Sequence, residues 1–135
     1  MTTDVNRQYT EQISRERQKQ TAEHFTPQSI VEQMISLVDN ITENQTFLDP
    51  CCGDGNILET VLQTKLNLGY DPTKSLQSLY GVELMEDNAE ACRQRLLDIV
   101  GDTPKYREIV ENNIVYADAL EYDYSFQPDV EEIFF

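Results

Sequence analysis

Stretches in which apolar residues recur every three or four positions alternate along this chain with short, uninterrupted apolar runs. From Thr26-Pro27 onward Ile30, Met34, Ile35, Leu37 and Val38 repeat at helical spacing. This predicts a buried amphipathic helix capped by Thr26, with Pro27 in its first turn, ending near Asp39-Asn40. The run Thr46-Phe47-Leu48-Asp49, stopped by Pro50, predicts a buried strand. Ile57, Leu58, Val61, Leu62 and Leu66 predict a second helix, closed by Gly69. After a loop around Asp71-Pro72, Leu79-Tyr80-Gly81-Val82-Glu83 predicts a second strand. A third helix fits Ala89, Ala91, Cys92, Leu96, Leu97, Ile99 and Val100, with Gly101 just past its end. Ile114-Val115-Tyr116-Ala117 predicts a third strand and Glu131-Glu132-Ile133-Phe134-Phe135 a fourth.

Strands alternating with helices of this length indicate an α/β fold: a truncated, three- to four-stranded parallel sheet flanked by helices. Residues 7–20 read either as a polar helix with few apolar anchors (Tyr9, Ile13) or as a solvated arm. The division expected is a polar N-terminal arm over 1–22 and one ligand-binding domain over 23–135.

Composition changes this picture in two ways. The 135 residues, 39% of them hydrophobic, suffice for one core and leave little room for a second. The 25 acidic against 10 basic residues give a formal charge of −15, and the excess falls outside residues 1–27, where four acids balance four bases. Such a surface repels a phosphate backbone, so contact with DNA is expected only indirectly, through a protein partner. No apolar run is long enough for a membrane span and no signal core opens the chain. The three cysteines make no disulfide framework, and Cys51 and Cys52, being adjacent, chelate one metal poorly. A soluble cytoplasmic protein without a metal site is the expectation.

In doubly wound folds ligands sit beyond the carboxyl ends of the strands. Those ends here carry Asp49, Glu83 and Asp118. The first strand runs into Asp49-Pro50-Cys51-Cys52-Gly53-Asp54-Gly55-Asn56, whose glycines let the backbone turn tightly and approach a ligand. A phosphate-cradling loop would need a lysine that is missing, and a dinucleotide fingerprint a third glycine where Leu58 stands. Asp49 and Asp54 would also repel a pyrophosphate. A small cation suits the turn better, and a carboxylate about 4 Å from one positive charge gains on the order of 4 kcal/mol at an effective dielectric near 20, before desolvation. S-adenosylmethionine has that character: Asp49 could hold its ammonium, Glu83 its ribose hydroxyls and Asp118 its adenine amine.

His24-Phe25-Thr26-Pro27, the Asp49–Asn56 turn, Gly81-Val82-Glu83-Leu84 and Ala117-Asp118-Ala119-Leu120 resemble, in this order, the cofactor motifs of adenine-N6 DNA methyltransferases. The resemblance covers roughly residues 20–125 and implies a Rossmann-like methyltransferase fold. It implies that Phe25, Thr26 and Pro27 contact the methionine end of S-adenosylmethionine and that Asp49, Cys51, Gly53 and Gly55 line its amino-acid moiety. Glu83 and Leu84 would take the ribose side, Asp118 and Ala119 the adenine. That family carries an Asn/Asp-Pro-Pro-aromatic loop after its fourth strand, where the target base is held. This sequence has no such motif, so no catalytic residue is assigned. Two readings follow. One is the cofactor-binding half of a DNA adenine-N6 methyltransferase of a restriction-modification system, completed by a partner or by a missing C-terminal part. The other is a non-catalytic cofactor-binding or regulatory protein docking on such a complex, or an acidic DNA mimic. A strand edge inviting a partner strand or a second copy is expected in either case. His24, the single histidine, reads as a structural residue beside the cofactor loop in preference to a catalytic base.

Overall fold

The computed structural model describes residues 27–36, 40–124 and 132–134. His24, Phe25, Thr26, Leu37, Val38, Glu131, Phe135 and the arm expected over 1–22 lie outside them. Among the described residues nine elements follow one another: α1 (Gln28–Ser36), β1 (Thr46–Asp49), α2 (Asn56–Asn67), α3 (Pro72–Gln77), β2 (Leu79–Glu83), α4 (Glu86–Val100), α5 (Pro104–Asn113), β3 (Ile114–Tyr116) and β4 (Glu132–Phe134). The four strands form one parallel sheet in the order β3-β2-β1-β4. The chain is thus an α/β protein, as its pattern of runs and periods predicts.

Side chains alternate across each strand and so separate two layers. Phe47, Leu79 and Ile114 join Val31, Ile35, Leu58, Val61, Leu62, Leu76, Leu96, Leu97 and Val110 in the main core between sheet and helices. Leu48, Tyr80 and Val82 point the other way and meet Val115, Ala117, Ala119 and Tyr122. Burying one such aliphatic side chain contributes about 1.5–3 kcal/mol.

Two helices were not expected. The segment read as a loop at Asp71-Pro72 is the start of α3: Asp71 accepts a hydrogen bond from Lys74 N–H at 2.9 Å and Pro72 takes the first helical position. Likewise Thr103 caps α5 through Tyr106 N–H at 3.2 Å, with Pro104 behind it. Both are a capping side chain followed by a proline that needs no partner for its nitrogen. Boundaries shift slightly elsewhere. α1 begins one residue after Pro27, whose carbonyl accepts from Ile30 and Val31 N–H at 3.0 Å each, and its described part ends at Ser36. β3 ends at Tyr116 instead of Ala117.

Beneath the sheet, at the end where β1 begins, Lys65 is fully buried. Its Nζ donates to Gln45 C=O at 2.6 Å, Ser78 Oγ at 2.8 Å and Glu43 C=O at 3.0 Å, and lies 5.4 Å from the Phe47 ring centroid. All three ammonium protons are therefore used. Among the described residues no helix is long and apolar enough to cross a membrane.

Candidate functional site at the carboxyl edge of the sheet

The strand order reverses direction at β1, which lies between β2 and β4 while the chain runs from β1 to β2. The crevice beyond the carboxyl ends of the strands at such a switch point is where open α/β sheets bind ligands. Asp49 ends β1 there. It is aligned with Gly81 on β2, and Glu83, two residues further, projects from the same face.

Asp49 is 4% exposed and its Oδ1 accepts from Cys51 N–H at 3.1 Å. Burial raises its carboxyl from the ordinary 3.8 to about 6, with the Cys51 hydrogen bond pulling the other way. No lysine or arginine among the described residues pairs with it. The carboxylate is therefore desolvated without the counter-charge that usually accompanies such burial.

The turn that follows is stitched to its surroundings. Cys52 N–H donates to Val82 C=O on β2 at 3.1 Å, and Gly55 N–H to Cys52 C=O at 2.9 Å. Gly53 and Gly55 both have positive φ, +56° and +96°. A Cβ on Gly55 would lie 2.8 Å from Cys92 Sγ and 3.2 Å from Cys92 Cα. The turn thus leans against α4 at a spacing only glycine allows. Gln28 at the start of α1 donates to Thr60 on α2 at 3.2 Å, which brings the Pro27 end of α1 to the opening of α2.

Glu83 is 6% exposed, and its Oε1 accepts from Leu84 N–H at 3.1 Å while Oε2 is enclosed. Leu84 is 57% exposed and, with Met85, Glu86, Asp87, Glu90 and Tyr116, lines an open depression of about 630 Å³ beside it. Asp118 stands two residues past β3, exposed, with Oδ1 capping Leu120 N–H at 2.9 Å. Ala117 N–H joins this segment to Glu83 C=O at 2.9 Å, and Ala119 C=O accepts from Tyr124 Oη at 2.7 Å.

Electrostatics place these groups in one neighbourhood. The exposed Cys51 thiol is pushed up by burial of its surroundings and then by the charges of Asp49 and Glu83. Tyr124 is pushed up by burial first and then by Cys51, Asp118 and Tyr122. Asp49, Cys51, Glu83, Asp118 and Tyr124 thus share the rim of β1, β2 and β3. The tyrosines and the thiols divide by position: Tyr122 is half-buried and stacks edge-on with Tyr124 at 5.3 Å, whereas Tyr116 is exposed.

Three relationships escape a reading of the sequence. Cys52 and Cys92 are both buried and hydrogen-bonded to each other, which raises the Cys52 thiol well above its usual range. Arg95 on α4 reaches Asp54 and Glu59. Lys65 braces the far end of β1. Each joins residues that are 13 to 41 apart in the chain, and no local pattern marks them.

The N-6 DNA methylase family model matches residues 3–128. A type II methyltransferase, M.VspI of Vibrio sp. (strain 343), is 27% identical over 126 residues, which cover 93% of this chain and 27% of that protein. The chain spans about a quarter of the length of that relative.

Proposed function

The chain belongs to the N-6 DNA methylase family, and on that footing we propose that it is the S-adenosylmethionine-binding half of an adenine-N6 DNA methyltransferase. Bound at the sheet edge, the cofactor supplies a methyl group on a sulfonium centre. Asp49 accepts from its ammonium, and Pro27, Cys51, Gly53 and Gly55 surround the methionine moiety together with Phe25 and Thr26. Glu83 accepts from the ribose hydroxyls, with Leu84 beside it. Asp118, whose second oxygen is left over from the cap on Leu120, accepts from the adenine amine next to Ala119.

The observation that carries this reading is Asp49: a carboxyl group 4% exposed at the switch point, held by a backbone N–H, which an arriving cation would stabilise in its charged form. The donors and acceptors on the rim match the cofactor and match a pyrophosphate poorly. Calorimetry with S-adenosylmethionine tests it. Wild type is expected to bind, and Asp49→Ala to lose about 2–4 kcal/mol, the cost of leaving one side of a buried charge pair empty. No binding by wild type overturns the reading.

Transfer to DNA needs a loop that holds the flipped base. On this reading a partner chain, or sequence continuing this one, supplies that loop together with the contacts to DNA that a charge of −15 makes unfavourable here. The outer edge of β4, unpaired among the described residues, is where a partner strand or a second copy would add. Methyl transfer from labelled cofactor to DNA, seen only on mixing with that partner, is the matching assay.

A further inference from the structure

We propose that Arg95 is a positioning residue that lets an acidic turn accept the carboxylate end of a zwitterionic cofactor, an inference that rests on the reading above. The methionine end of S-adenosylmethionine carries two opposite charges. Asp49 answers the ammonium. The carboxylate is left facing a turn that bears Asp54 and, in the first turn of α2, Glu59.

Arg95 spans both acids. Its Nη1 lies 3.3 Å from Asp54 Oδ1 and its Nε 3.1 Å from Glu59 Oε2, while Nη1 also donates to Asn56 Oδ1 at 3.4 Å. One guanidinium therefore serves three side chains at the start of α2. The first backbone N–H groups of that helix carry the positive end of its dipole, the natural seat for a carboxylate. Asp54 and Glu59 left to themselves would offset that field; Arg95 restores it. Its place is fixed because α4 packs directly behind the turn, with Cys92, one helical turn before Arg95, against Gly55.

An ordinary surface ion pair would have the same distances, and such pairs contribute little to stability. The two roles differ in what they do to ligand choice. The full chain and Arg95→Gln are titrated with S-adenosylmethionine and with its decarboxylated analogue, which keeps the sulfonium and the amine but lacks the carboxylate. Affinity for S-adenosylmethionine is expected to fall about tenfold in the variant, and for the decarboxylated analogue to change by no more than about twofold. Adding Asp54→Asn and Glu59→Gln to Arg95→Gln is expected to recover most of the loss, because the acids that Arg95 offsets are then gone. Equal losses for both ligands, no loss for either, or no recovery in the triple variant overturns the inference. Failure of wild type to bind either ligand removes the cofactor reading itself, and this inference with it, so the two failures are told apart.

Discussion

Gly81 lies so close against Cys52 that a Cβ on the glycine would sit 2.8 Å from Sγ and 3.0 Å from Cβ of the cysteine, with Leu58 Cδ1 at 3.1 Å. β2 therefore supplies a floor for the turn after β1. Gly81→Ala is expected to cost about 1–3 kcal/mol, the range for overfilling a packed core. It also displaces Cys52, whose N–H is held by Val82 C=O, and so weakens cofactor binding. Urea unfolding checks the first effect; a midpoint equal to that of wild type would contradict it.

Gly55→Ala meets two obstacles, a φ of +96° and the Cα of Cys92 at 3.2 Å. Cys92→Ala in the same chain removes Sγ but leaves the backbone contact and the strain of a left-handed conformation, about 1–2 kcal/mol. The double variant is thus expected to stay less stable than Cys92→Ala alone. Equal unfolding midpoints for the two would show that Sγ was the whole conflict.

Asp49 opposes folding at neutral pH. Its folded pKa of about 6 exceeds the ordinary 3.8, so between those values the folded state holds more protons than the unfolded one. Its contribution to stability falls as pH rises through this window and is level above it. Asp49→Asn is therefore expected to match wild type near pH 4 and to exceed it by up to about 3 kcal/mol at pH 7. In wild type, affinity for the cofactor should rise from pH 5 to pH 7 as Asp49 ionises. Unfolding curves for both proteins across this range decide the matter, and a stability gap that does not widen with pH refutes the assignment.

Lys65 acts in the opposite sense. Burial lowers its pKa from 10.5 to about 8, against a smaller upward pull from Glu43. The unfolded chain then binds more protons between these values, and stability attributable to Lys65 grows as pH rises through 8 toward 10.5. Lys65→Met strands Gln45 C=O, leaves Ser78 Oγ only its bond to Ser75 C=O, and should cost about 1–3 kcal/mol at pH 7. The difference between wild type and Lys65→Met should widen toward pH 10, where denaturant midpoints can still be compared.

What could be read in advance follows the range of each interaction. β1, β2, α2 and α4 are written in local periodicity, and Gly69 and Gly101 do stand at helix ends with φ of +86° and +103°. α3 and α5 were written too, as Asp71-Pro72 and Thr103-Pro104. A proline beside polar residues suits a loop equally well, and α3 has six residues with little room for a period. The rim carboxylates could be placed because strand ends are local features. Arg95 with Asp54, and Cys52 with Cys92, could not, because 41 and 40 residues separate them along the chain and only the packing of α4 on the turn joins them.

Among the described residues β1 is flanked on both sides, whereas β3 and β4 form the margins. Peeling, exchange or swapping of a strand starts from a margin, and either event leaves the chain around Asp49 tied to at least one neighbour. The ligand-bearing strand is thereby insulated from whatever assembles at the borders of the sheet, so a companion could come and go at β4 while the groups along β1 and β2 keep their spacing.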